Sequence, residues 1–108
     1  MDDGAHIELV TRPGGALLVL GGRACVPAAE RLLAVARSTA AHPGAVELDA
    51  AAVDLLDGAA LQILLALALA LRASGRALLV GARSEAFTAA VQCAGFDPAV
   101  GGSLLGAL

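Results

Sequence analysis

Nine successive apolar residues, Ile63 to Leu71 (Ile-Leu-Leu-Ala-Leu-Ala-Leu-Ala-Leu), set the first condition on how this chain can fold. The run is about half of the roughly 20 residues a bilayer span needs. It is therefore expected to be a helix buried in the core of a folded domain. The preceding stretch, Val53-Asp54-Leu55-Leu56-Asp57-Gly58-Ala59-Ala60-Leu61, reads as a loop carrying two carboxylates and ending in Gly58. The helix is then expected from Ala59 to about Ser74, closed by Gly75. A helix N-terminus is electropositive and presents N–H groups without intrahelical acceptors, so a specific contact is expected at this turn.

On a wheel of 100° per residue, Leu61, Leu64, Leu65, Leu67, Leu69 and Leu71 cover about 200°, wider than a surface helix needs. Gln62, Ala66, Ala70 and Ala73 lie opposite, with Ile63 beside them. An alanine-lined side permits close approach by another helix, and surplus apolar surface marks a contact site. The same arc is compatible with a homodimer.

The 108 residues suit one domain, expected over 1–108 with its core in about 6–100 and a Gly-rich tail at 101–108. Hydrophobic residues make up 58% of the chain and aromatic ones 2%, so the core must be aliphatic. The net charge is −3 and there is no basic run, which argues against nucleic-acid binding. Cys25 and Cys93 stand apart from each other and point to a reducing compartment. The opening Met-Asp-Asp-Gly lacks the basic and apolar regions of a signal peptide, so the expected location is the cytoplasm with no membrane span.

In chain order, His6 to Thr11 alternates as a half-buried strand, with Ile7 and Leu9 inward. Arg12-Pro13-Gly14-Gly15 reads as a turn, and Ala16 to Leu20 as a second strand buried on both faces and paired antiparallel to the first. Gly21 to Cys25 reads as a loop. A helix follows from about Pro27 to Ala41, with Ala29, Leu32, Leu33, Ala36 and Ala40 as its apolar stripe, and His42-Pro43-Gly44 ends it. Ala45 to Asp49 and Ala77 to Val80 read as further strands, the latter again buried. Ser84 is a good N-cap for a helix from Glu85 to Ala94, with Phe87, Ala90, Val91 and Ala94 inward and Gly95 as its end. Ser103 to Leu108 could add a short helix. The order ββαβαβα implies an α/β domain: a hairpin, then alternating helices and strands, forming a mixed sheet of about four strands flanked by three to four helices.

His6, His42, Cys25 and Cys93 lack metal-ligand spacing, and no phosphate-binding loop with Gly-Lys-Ser/Thr occurs in a chain without lysine. No cofactor is expected. Asp54 and Asp57 lack a nearby histidine or nucleophile, which favours binding over acid–base catalysis, and Cys93 reads as a small buried hydrophobe.

Val46-Glu47-Leu48-Asp49, the stretch Val53 to Gln62, and Gly75-Arg76-Ala77-Leu78-Leu79-Val80-Gly81 together resemble the STAS domain, found in anti-sigma factor antagonists and in the tails of sulfate transporters. Ser84-Glu85-Ala86-Phe87 and Gly95-Phe96 resemble that family's third helix and its closing step. The resemblance covers roughly Ile7 to Val100 and implies a STAS-like fold and a non-catalytic, protein-binding role. In regulated members the loop reads Asp-Ser-Ser/Thr-Gly, and a partner kinase that is also an anti-sigma factor phosphorylates the first Ser. By position Asp57 matches the Asp, Gly58 stands at the phospho-acceptor, Ala59 at the next hydroxyl and Ala60 at the Gly. Both hydroxyls are absent, so the resemblance implies a member that phosphorylation at this site cannot switch.

Ala60 to Ala66 is also similar to the helix of small STAS proteins of chemotaxis signalling. Another branch binds the ATPase of an Mla-type lipid-transport complex and usually keeps a Thr after the Asp. The expected partner is accordingly an anti-sigma or kinase-like protein, a chemotaxis protein or an ABC ATPase. The expected partner-binding residues are Asp54, Asp57, Gly58, Ala59, Ala60, Gln62 and Ile63.

Overall fold

A computed structural model describes residues 4–94. Strands β1 (Ala5–Arg12) and β2 (Gly15–Ala24) form the expected hairpin, joined through Pro13 and Gly14. A 3₁₀ turn, Val26–Ala28, leads into α1 (Ala29–Ala41). Then come β3 (Ala45–Leu56), α2 (Gly58–Ala73), β4 (Leu78–Arg83) and α3 (Glu85–Cys93). The four strands make one mixed sheet in the order β1-β2-β3-β4, antiparallel at the first pair and parallel at the other two. The α/β architecture is therefore as expected. The closing Gly95 and the helix expected over Ser103 to Leu108 lie outside the described residues.

Two successive parallel crossovers step the same way across the sheet. Right-handed connections then put α1 and α2 on the same face. One core results: Leu18 and Leu20, Val46 and Leu48, and Leu78 and Val80 point into it, meeting Leu32, Leu64, Leu67, Leu71, Phe87 and Val91 from the helices. This corrects the expectation that β2 and β4 are buried on both faces. Leu17 and Val19 are only half-buried, and Leu79 is 46% exposed. A continuous apolar run does not require two covers when strand order supplies only one.

Strand lengths also differ from expectation. Gly21 and Gly22 are strand residues, not loop, because the ladder to β3 continues past them with register shifts. Gly22 has φ +69°, and a Cβ there would collide with the Gly4 carbonyl oxygen. Gly44, at φ +97°, lies against the Gly14 carbonyl in the same way, at the entry to β3. The helix expected from Pro27 begins as 3₁₀ and becomes α-helical at Ala29. Cys93 is exposed at the end of α3 and not buried. Leu33, expected in the α1 stripe, is exposed, as is Leu69 on α2.

The loops are held by side chains reaching back to the backbone. Arg76 donates from Nη1 to the His42 carbonyl at 2.6 Å and from Nη2 to the Ala40 carbonyl at 2.7 Å, satisfying carbonyls at the α1 C-terminus. His42 Nε2 donates to the Gly15 carbonyl at 3.0 Å, which ties the same helix end to the hairpin. Ser84 caps α3 by accepting from the Phe87 N–H at 3.1 Å, and its hydroxyl donates to the Val53 carbonyl at 2.6 Å. The cap was readable in the sequence; its tie to β3 is a tertiary contact.

Candidate functional site

The turn into α2 is shorter than the sequence suggests. Asp54 and Leu55 do not lie in a loop: β3 runs on to Leu56, with Arg23 opposite Leu55 and Ala24 opposite Leu56. Only Asp57 separates strand from helix, in extended conformation at φ −92° and ψ 177°. The change of geometry from β to α therefore falls on one residue.

Asp57 is held at every polar group it has near this turn. Its Oδ1 accepts from the Ala60 N–H at 2.9 Å, the expected N-cap bond. Its Oδ2 accepts from the Val26 N–H at 2.8 Å, 31 residues earlier in the chain. Its own N–H donates to the Ala24 carbonyl at 3.1 Å, and its carbonyl accepts from the Leu61 N–H at 3.0 Å. One carboxylate thus joins the β2–α1 junction to the start of α2. Charge-assisted bonds of this kind are about twice as strong as neutral ones. With both oxygens engaged inside the fold, Asp57 braces the turn. The Asp54 side chain is exposed and has no hydrogen-bond or ion-pair partner among the described residues.

The other expected residues divide by exposure. Gly58 and Gln62 are exposed, and Ala59 and Ile63 half-buried. Ala60 is 1% exposed and belongs to the core, so it has almost no surface to present. Two residues outside the expected set flank the turn: Leu55, 45% exposed, and Val26, 67% exposed and fixed through its own N–H by Asp57. Val26 carried no local signal, because its place beside α2 depends on a contact between distant parts of the chain. Among the described residues, no three His, Cys, Asp or Glu side chains are grouped to hold a metal ion.

Gly58 is not held as glycine by conformation or space. Its φ is not positive, and a Cβ placed on it would have no atom within 4 Å apart from its chain neighbours and its own helix. Gly58→Ser should therefore fold normally, with stability unchanged or raised by up to about 0.5 kcal/mol from the better helix propensity. A thermal melt of the variant checks this; a clear fall in midpoint would show that the turn needs glycine. The fold therefore does not require glycine at this position.

No helix among the described residues is long and apolar enough to cross a membrane. Comparison with curated proteins gives no match. The model of a family described as "Mlab, STAS domain" matches residues 8–106. That match spans nearly the whole chain, and its extent agrees with the hairpin, mixed sheet and one-sided helices already described: the chain belongs to the STAS domain family.

Proposed function

We propose that this protein is a non-catalytic docking module that binds a partner protein through the turn from β3 into α2. The surface comprises Asp54, Leu55, Gly58, Ala59, Gln62 and Ile63, with Val26 at its edge and Asp57 bracing it from within. STAS domains are generally binding modules without catalysis, which supports the class. The observation that carries the reading is the bracing of this turn. Asp57 joins two distant segments with one carboxylate and leaves beside it an unpaired Asp54 and exposed aliphatic side chains. A surface held in place before binding loses little entropy when a partner arrives.

With glycine and alanine at the two hydroxyl positions, docking is not gated by phosphate at this turn. Partner abundance sets it instead. Two settings fit such a module: bacterial signalling, as an anti-sigma factor antagonist or a chemotaxis component, and an accessory role on the ATPase of an Mla-type lipid-transport complex. The description of the matched family favours the second.

Co-purification of the full chain from its native cell, followed by identification of what accompanies it, tests the proposal. Wild type should bring down one stoichiometric protein, an ABC ATPase in the favoured setting. Asp54→Arg should weaken its binding by about tenfold or more while leaving the melting temperature unchanged. Equal capture by Asp54→Arg and by a Leu55→Asp variant, both folded, would remove this turn as the docking surface.

A further inference from the structure

α1 and α2 lie side by side over the sheet, and a shallow apolar groove of about 200 Å³ runs between them, open to solvent. Leu33 and Ala36 line it from α1, and Ile63, Ala66 and Ala70 from α2. Leu33 keeps 36% of its surface exposed. Among the described residues a single charged one borders the groove, Arg37, one turn beyond Leu33 on α1. It is exposed and has no ion-pair or hydrogen-bond partner among the described residues. Ile63 joins the groove to the turn at the start of α2.

We propose that this groove receives a helix of the partner protein, one that presents aliphatic side chains at i, i+3 or i+4 spacing and a carboxylate to Arg37. The inference rests on the docking reading above and deepens it by naming the chemistry of what docks. Charge complementarity selects the partner. In a chain of net charge −3, the one charge bordering this apolar groove among the described residues is a cation without a counter-ion there. A carboxylate set among aliphatic groups matches both features at once and rejects a basic competitor.

Shape selects a helix. Small-molecule sites enclose most of their ligand, whereas this groove is open along its length. Alanines at 36, 66 and 70 let a third helix approach closely, and helix-in-groove docking reads its target through anchors at these spacings. A second copy of this chain fits poorly. An isologous pairing through the groove would bring Arg37 no carboxylate from the groove residues of its twin.

The test places photoreactive benzoylphenylalanine at position 33 of the full chain in the native cell, with position 79 on the open sheet face as control. The cross-linked peptide is sequenced and synthesised, and its affinity for the full chain is measured. The expected peptide is helical, with spaced aliphatic residues and an acidic one. Its affinity should fall about tenfold in Arg37→Glu and recover when the acidic residue of the peptide is changed to Arg. Absence of a cross-link at position 33, equal cross-linking at position 79, a cross-link to a second copy or to a lipid, or an affinity indifferent to the charge at 37 would each overturn the proposal. Asp54→Arg is measured alongside. Loss with Asp54→Arg alone removes the groove and keeps the turn; loss with Arg37→Glu alone removes the turn and keeps the groove.

Discussion

Asp57→Ala should lower the stability of the domain by about 3 kcal/mol, through two bonds lost at once. Loss of an N-cap costs about 1 kcal/mol. The second bond, from the Val26 N–H to Oδ2, is to a charged acceptor, where about 1.5–3 kcal/mol is typical. In a domain of this size the melting temperature should fall by roughly 10–20 °C. Asp57→Asn separates the two contributions. The amide keeps one acceptor oxygen, so it can cap α2 but then turns an NH₂ toward the Val26 N–H, and its loss should be intermediate. Amide exchange gives the local readout: the Val26 N–H should exchange faster in both variants, the Ala60 N–H mainly in Asp57→Ala. A fall under about 1 kcal/mol in Asp57→Ala would show that the bridge between Val26 and α2 is not formed. Because the change acts on the brace, partner binding should weaken with it, which makes Asp57 a poor probe of direct contact and Asp54 the better one.

Phe87→Ala should cost about 3–5 kcal/mol, the range for removing a fully buried phenylalanine. Phe87 is 0% exposed and is the one aromatic among the described residues, packed where α3 meets β3. The neighbouring core is aliphatic and already close-packed, so the cavity cannot close by small shifts. Stabilities of such domains run about 5–15 kcal/mol, so the variant should melt tens of degrees lower or fail to fold. Phe87→Leu keeps most of the volume and should lose about 1.5 kcal/mol or less. Chemical denaturation of both variants measures the pair. Similar, small losses in the two would mean that α3 is not seated on the sheet.

Local signals carried much of the fold. The apolar run from Ile63 to Leu71 and the Gly75 after it fixed the position of α2. Ser84 marked the start of α3 through its own chemistry, and Ile7 showed an inward face by alternation. Errors gathered where a glycine served the sheet instead of a turn. Gly21 and Gly22 look like a loop to any local rule, yet they lie in β2 because β3 passes close beside them. Asp54 lies in a strand and not a loop for a related tertiary reason: β2 pairs with β3 as far as Ala24.

The candidate site shows the same division. Asp57 as a helix cap needed only the residues on either side of it, and so did the lack of a hydroxyl at Gly58 and Ala59. The second bond of Asp57, the placing of Val26 beside α2, the burial of Ala60 and the groove between α1 and α2 join residues far apart in sequence. Periodicity and capping act within a few residues, so the sequence by itself determined the elements, their order and an aliphatic core. Strand order is settled by pairing between distant segments. That pairing, with right-handed crossovers, put the described helices on one face of the sheet and made one carboxylate the brace between two ends of the fold.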